Sequence, residues 1–344
     1  MKKLRIGIVG LNFGEKIVEE LKKEYGSSYF EVAAVCDINT ERAAEVSGNT
    51  GIKAYIGIDD LLMEKDIPVI GLFVPPVGRA DLIEKIILTG RDVITTKPFE
   101  LDADKALAVL KKAKKIGRII HLNSPSPLPT PDIDQIKKWI EKYNLGRPIA
   151  CRCDTWTSYR EDYEGNWYDE PEKCPVAPIF RIGIYLVNDI VRLFGKAEKV
   201  QVMHSRLFTG RPTPDNAQVG IMFKNGAICN IFASFCINDV QTHKNSLLVN
   251  YEKGTVYRNV EPMKYTWTDR FSKMTVVAFD KDNNNIIEHA TVEGISGDYQ
   301  WDLLYKAVTG EKLEGEITPE EIVEGIRIIN AMARAEKSGY MESV

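Results

Sequence analysis

LRIGIVGLNFG, residues 4–14, decides the fold. Ile6, Ile8 and Val9 read as a buried strand that runs straight into a glycine-punctuated turn. The spacing of Ile17, Val18 and Leu21 predicts a helix over residues 15–24. A strand, a tight glycine turn and a helix N-terminus make a phosphate cradle, because free backbone N–H groups and the positive end of the helix dipole face the anion. The dinucleotide pattern Gly-x-Gly-x-x-Gly is met imperfectly. Gly10 opens the turn, Asn12 stands at the second glycine, and Gly14 closes it one residue early. Asn tolerates a left-handed backbone, so Asn12 is expected to serve there.

The next apolar run, Phe30–Cys36, ends at Asp37. An acid at the end of the second strand accepts hydrogen bonds from an adenosine ribose and repels a 2′-phosphate. Ile38 and Asn39 supply no cation beside it, which favours NAD over NADP; Arg42 is near enough to leave NADP open. The bland reading is a strand–turn–helix that binds nothing, with Asp37 as a capping residue. The order of the two signals weighs against it.

The chain has 344 residues, long enough for two domains with their own cores. Lys and Arg total 45 against 49 Asp and Glu, a net charge of −4 with no basic patch, so nucleic acid is not an expected partner. No apolar run has membrane-spanning length, and the N-terminus lacks the apolar segment of a signal peptide. A cytoplasmic protein is expected. The six cysteines are scattered, and Cys151 and Cys153 alternate on one strand; the four histidines show no ligand spacing. Buried free thiols and no metal are expected.

Up to residue 123 strands and helices alternate. Strands are expected at 68–74, 92–95 and 118–122, with helices at 40–46, 79–88 and 102–116. Alternation implies a doubly wound parallel sheet whose ligands sit at the carboxyl ends of the strands. Gly10, Asp37, Pro75, Lys97 and Asn123 all fall at such ends. The proline-rich stretch 124–131, SPSPLPTP, marks a boundary. Residues 1–123 are therefore read as a Rossmann dinucleotide-binding domain. Residues 124–344 are read as an α+β domain with a large, mostly antiparallel open sheet that binds substrate and oligomerises. In it a long aromatic and acidic loop, 157–178, carries Trp167 and Tyr168. A helix over 181–194 follows, then seven strands and two helices.

Lys97, in TTKPF, can donate to a substrate oxygen and stabilise charge that develops on it. Arg181, Tyr185 and Asn188, three and four residues apart, are expected on one helix face lining a cleft. A tyrosine near a lysine can act as general acid/base. The bland alternatives are a solvated lysine and a half-buried packing tyrosine.

These motifs carry a resemblance. GIVGLNFG, AAVCD, FVPP, TTKPFE, FRIGIYLVND and the final ITPEEIVEGIRIINAMARAEKSG are similar, nearly end to end, to the glucose–fructose oxidoreductase / inositol dehydrogenase / rhizopine-catabolism (Gfo/Idh/MocA) family. The resemblance implies that Lys97 is catalytic. Many members have Gly-x-His-x-x-Asp with histidine as acid/base. Here Gly183 to Asn188 read GIYLVN, similar to the branch with glucose–fructose oxidoreductase and dimeric dihydrodiol dehydrogenase, where tyrosine takes that place, so the role passes to Tyr185. The family's aspartate four residues earlier is Arg181, its usual Glu before Lys-Pro is Thr96, and a frequent histidine after the fourth strand is Arg79. Arg181 points to an anionic substrate, an altered mechanism or lost catalysis.

The reading is an NAD(P)-dependent dehydrogenase acting on a carbinol or carbonyl of a small polar substrate: a sugar, sugar acid or cyclitol. Lys97 and Tyr185 are the catalytic pair. Gly10, Asn12, Phe13, Gly14, Asp37, Val74, Pro75, Pro76, Lys97 and Asn123 are the expected cofactor contacts. Arg181, Asn188, Trp167 and Tyr168 are the expected substrate contacts. The resemblance adds a homodimer or homotetramer. Two other readings are a cofactor-sensing regulator without catalysis on the same fold, and a reductase of imines or conjugated tetrapyrroles, which the acidic loop opposes.

Overall fold

A computed structural model describes residues 2–239, 243–262 and 269–344. The chain divides into two compact units, one of residues 1–128 with 299–319, the other of residues 129–298 with 320–344.

The first unit is a six-stranded sheet of β1 (Leu4–Val9), β2 (Phe30–Cys36), β3 (Lys53–Tyr55), β4 (Val69–Leu72), β5 (Asp92–Thr95) and β6 (Ile120–Leu122). The order is β3-β2-β1-β4-β5-β6, and every pairing is parallel. The helices are α1 (Leu11–Leu21), α2 (Glu24–Ser27), α3 (Thr40–Thr50), α4 (Ile58–Leu62), α5 (Arg79–Leu88) and α6 (Ala103–Lys115). Parallel strands need crossover helices and are covered on both faces, which is why β4 and β5 are buried at every position instead of alternating. The order reverses between β1 and β4, the switch point outside which doubly wound sheets hold ligands. The doubly wound reading stands.

The second unit begins with α7 (Pro131–Lys142) and β7 (Pro148–Thr157). A single 3₁₀ turn, Trp167–Asp169, interrupts the loop after β7. A π-helical turn, Ile179–Gly183, leads into α8 (Ile184–Phe194). Then come β8 (Ala197–Ser205), β9 (Asn216–Phe223), β10 (Ile228–Ser234), β11 (His243–Tyr251), β12 (Gly254–Arg258), β13 (Phe271–Phe279) and β14 (Asn285–Glu293). The chain ends with α9 (Trp301–Val308), α10 (Pro319–Ser338) and β15 (Glu342–Ser343). The nine strands run β14-β13-β12-β11-β7-β10-β9-β8-β15, antiparallel except for β7 with β10. Alternating burial along β9 and β13 shows a sheet with one face packed and one open.

The two-segment division read from the sequence has no counterpart for residues 299–319, which return to the first unit. Trp301 and Leu304 are fully buried there with Ile17, Leu21 and Phe30. The Trp301 ring stands 5.7 Å from Phe30, and its Nε1 donates to Glu20 Oε1 at 2.9 Å. All six cysteines are free and buried. The sulfurs of Cys151, Cys153 and Cys229 lie within 4.8 Å of one another where β7 and β10 run side by side. Burial pushes the Cys151 and Cys153 thiols up, so they stay protonated. Among the described residues no helix is long and apolar enough to cross a membrane.

Candidate functional site

The glycine turn is tighter than the sequence suggests. Gly10 caps α1 with φ 87° and ψ 88°, and the helix starts at once with Leu11. A Cβ on Gly10 would lie 2.8 Å from the carbonyl atoms of Phe73, so the left-handed backbone and the close approach of the β4 end both demand glycine. Asn12 is therefore helical, in the first turn of α1, and not the left-handed residue expected from the pattern. Gly14 sits inside the helix, where a Cβ would meet Ile8 Cγ2 at 2.8 Å. That is the close helix–strand packing asked of the third glycine in the fingerprint. Phe13 is 40 % exposed, with its ring centroid 5.8 Å from that of Phe73.

Asp37 closes the turn. Its Oδ2 accepts the Leu11 amide at 2.7 Å and its Oδ1 the Asn39 amide at 2.8 Å. The first turn of a helix leaves its N–H groups without an intrahelical acceptor. Asp37 takes that of Leu11 and the Gly10 carbonyl takes that of Gly14, so the amides of Asn12 and Phe13 are the ones that face an anion. Arg42 is committed elsewhere, to Glu15 and, at 2.7 Å, to Glu45. A dinucleotide fits this edge: a helix N-terminus for pyrophosphate, a carboxylate for ribose, and no spare guanidinium beside it.

Lys97 follows β5 on the same edge of the sheet. Its amide donates to Asn123 Oδ1 at 3.0 Å, and Asn123, after β6, is 3 % exposed. Arg79, 2 % exposed, laces two loops together. Its Nε donates to the Val74 carbonyl at 3.1 Å, and its Nη1 donates to the carbonyls of Thr96 and Pro98 at 2.5 Å and of Phe99 at 3.3 Å. The Val74-Pro75-Pro76 loop and the carbonyls around Lys97 thus share one guanidinium. Burial pulls Arg79 down to about 10, with the Glu100 charge opposing the shift. In the sequence Arg79 registers only as a departure from a family histidine. Its sequence signal is an arginine at the first position of the helix that follows Pro75-Pro76.

In the second unit the expected one-face alignment of Arg181, Tyr185 and Asn188 does not occur. Arg181 lies in the π turn, whose extra residue shifts its angular phase against α8. It makes a two-pronged bond to Glu161, Nη1–Oε2 2.5 Å and Nη2–Oε1 2.8 Å. Its guanidinium lies 3.8 Å from the Tyr168 ring centroid and 4.8 Å from that of Phe235. Arg211 joins from the loop before β9, 2.6 Å from Glu161 and 2.5 Å from Asp169. Two arginines meet two carboxylates, so the cluster is neutral, and Arg181 has no charge to spare for an anionic substrate. Burial pushes the Glu161 carboxyl up, but its bonds to Arg181 and Arg211 outweigh this and hold it below its usual range. The Trp167 ring lies 4.1 Å from Tyr168 at a tilt of 42°, and Tyr168, with Tyr159 and Phe235, encloses the Arg181 guanidinium.

Asn188, 7 % exposed, packs with its Oδ1 against Gly325 of α10. Tyr185 is half-buried and lines a cavity of about 80 Å³ with Asp132, His243, Arg258, Ser296 and Gly297.

Two family models match the chain. The oxidoreductase family with an NAD-binding Rossmann fold covers residues 4–124, and the GFO/IDH/MocA C-terminal domain covers residues 133–257. An uncharacterised oxidoreductase of Schizosaccharomyces pombe is 22 % identical over 320 residues, 85 % of each chain. The inositol 2-dehydrogenase/D-chiro-inositol 3-dehydrogenase of Lactiplantibacillus plantarum is 24 % identical over 211 residues, 59 % of each chain. The WlbA dehydrogenase of Bordetella pertussis, solved with NADH and UDP-GlcNAcA, shares the fold at a TM-score of 0.72 with 16 % identity, covering 100 % of this chain and 99 % of that one. Levoglucosan dehydrogenase with NADH superposes at a TM-score of 0.76 with 15 % identity, covering 100 % and 99 %. With both domains matched and the nucleotide edge built as described, this chain belongs to the GFO/IDH/MocA family of NAD-dependent oxidoreductases.

Proposed function

We propose that the protein is a dehydrogenase that oxidises a carbinol, or in reverse reduces a carbonyl, of a small sugar-like, sugar-acid or cyclitol substrate. The observation that carries this reading is the bracing of Lys97, with its amide on Asn123 and its loop carbonyls on Arg79, at the sheet edge that also carries Gly10 and Asp37. When bound, NAD supplies the hydride acceptor. The chain supplies the rest. The Lys97 ammonium donates to the reacting oxygen and stabilises negative charge as it develops there. The Tyr185 phenol oxygen takes the hydroxyl proton in oxidation and returns it in reduction. The Asn12 and Phe13 amides hold pyrophosphate, Asp37 accepts from the ribose hydroxyls, and Val74, Pro75 and Pro76 flank the cofactor. Trp167 and Tyr168 shape the substrate wall, while Arg181 and Asn188 act through packing and not by direct contact.

The relatives named for inositol and sugar substrates support the substrate class. The open face of the nine-stranded sheet, with Ile228, Val277 and Ile287 exposed, supports a homodimer or homotetramer. The test is nicotinamide absorbance with NAD or NADP and a panel of sugars, sugar acids and cyclitols, with Lys97→Ala and Tyr185→Phe alongside. Turnover with NAD that both substitutions cut by about 100-fold or more is expected. Full turnover by either variant would overturn its assignment. Tight NAD binding without turnover across the panel would point to a cofactor sensor instead.

A further inference from the structure

Tyr185 rests on a support that its own helix does not supply. Residues 294–298, Gly-Ile-Ser-Gly-Asp, run against its ring. Gly297 has φ +101°, and a Cβ there would lie 2.5 Å from Tyr185 Cε1 and 3.1 Å from Cζ, so the bare backbone is in contact with the phenol. The segment is pinned on both sides. Asp298 Oδ2 accepts the Ile295 amide at 2.9 Å, and its Oδ1 lies 2.6 Å from Arg270 Nη2. Ser296 Oγ donates to Asp189 Oδ1 at 2.9 Å. Asp189 stands four residues after Tyr185, one helical turn along α8. Its Oδ2 accepts from Arg258 Nη1 at 2.9 Å, and the same nitrogen reaches Asp132 Oδ2 at 2.6 Å. Arg258 Nη2 donates to Asn245 Oδ1 at 2.8 Å. Asp132 in turn accepts from the Thr130 hydroxyl at 2.6 Å and the Ile133 amide at 3.0 Å. Asp132, Asp189 and Arg258 are 1 %, 6 % and 1 % exposed. Four elements, α7, α8, β11 and β12, are thereby tied to one short segment whose glycine touches the phenol.

We infer that the chain Asp132–Arg258–Asp189–Ser296 is the positioning device of Tyr185, fixing Gly297 against the ring so that the phenol keeps one orientation. The inference rests on the reading of Tyr185 as acid/base. A buried network of two carboxylates and one guanidinium is a costly way to gain stability, since apolar side chains of equal volume serve as well. What it provides is a fixed geometry, and proton transfer depends on geometry first. Ser296 is the link to test, because it is half-buried, carries no charge and joins the segment to Asp189 through a single hydroxyl.

The experiment compares Ser296→Ala, Ser296→Thr and Tyr185→Phe for kcat, KM and NADH affinity. It also follows the ¹⁹F resonance of 3-fluorotyrosine assigned to position 185 by its loss in Tyr185→Phe. Ser296→Ala is expected to lower kcat about 10-fold, leaving KM and NADH affinity within about 2-fold, and to broaden or split the resonance. Ser296→Thr, which keeps the hydroxyl, is expected to restore both. A single sharp, unshifted resonance in Ser296→Ala overturns the inference, as does an unchanged kcat in an enzyme that needs Tyr185. If Tyr185→Phe keeps full activity, the acid/base reading fails by itself, and the resonance still decides whether Ser296 positions the ring.

Discussion

Glu161 is the carboxylate on which two buried arginines lean, so Glu161→Gln removes one charge and strands another. The arginine side chains are 9 % and 4 % exposed, against 32 % for Glu161. The native cluster of Arg181, Arg211, Glu161 and Asp169 is neutral; the variant leaves a net positive charge in a site with little water. Breaking a buried pair from one side costs about 3–5 kcal/mol. Two features reduce this. Glutamine keeps one carbonyl acceptor, and Arg181 retains its ring contacts with Tyr168, Tyr159 and Phe235, worth about 1–2 kcal/mol when desolvated. A loss of about 2–3 kcal/mol follows, or about 4–12 °C in Tm for a unit of this size. Differential scanning calorimetry and urea unfolding read it directly. The decisive variant is Glu161→Gln with Arg181→Met, which removes the stranded cation. It is expected to be more stable than the sum of the single effects by at least about 1 kcal/mol. A Glu161→Gln protein within about 1 °C of the parent would refute the reasoning, because Arg181 would then not depend on Glu161.

Gly10→Ala is expected to cost about 2–4 kcal/mol and to abolish NADH binding, followed by nicotinamide fluorescence, since its Cβ would strike the Phe73 carbonyl at a left-handed φ. Arg79→Met leaves the carbonyls of Val74, Thr96 and the buried Pro98 without their donor; a stability loss of about 3 kcal/mol is expected, with kcat falling further than NAD affinity. Acid should release the aromatic loop. Burial raises both carboxyls, but Arg181 and Arg211 lower Glu161 by more, and Arg211 with the Glu164 and Asn166 amides lowers Asp169 by more, so both sit below their unfolded values. Their contribution is complete above about pH 5 and is lost as pH falls through the folded values. The difference in emission between the parent and Trp167→Phe should therefore hold steady from pH 7 to about 5 and change below about 4. A change centred above pH 6 would refute it.

The first unit was legible because its information is local. Apolar runs ending in Gly10, Asp37, Pro75, Lys97 and Asn123 are each read without knowing what packs where, and all five lie at the carboxyl edge of the sheet. The errors there are of phase. α1 begins at Leu11 and not at residue 15, because Gly10 alone makes the turn and Asn12 needs no special backbone. The second unit hid more, because its charged residues are explained by partners far along the chain. The spacing of Arg181 reads as a substrate ligand, whereas its charge is met by Glu161, which Arg211 shares, and the π turn sets it out of register with Tyr185. Asp189 and Arg258 are 69 residues apart and Asp132 and Arg258 are 126 apart, so no spacing rule connects them. The return of Trp301 to the core of the first unit was likewise hidden in a helix of ordinary composition.

The six buried cysteines make the chain a recorder of its own opening. A thiol reagent reacts only with sulfur that water can reach, so each labelling rate is the intrinsic rate multiplied by the open fraction. Cys36 lies in the first unit and the other five in the second, so mass spectrometry of labelled peptides times the two units separately. A ligand that binds only the closed nucleotide edge suppresses opening in proportion to 1 + [L]/Kd, so NAD at 100 times its Kd should slow Cys36 labelling by about 100-fold. Sulfur at the end of β2, one residue before Asp37, then measures cofactor affinity without a single turnover.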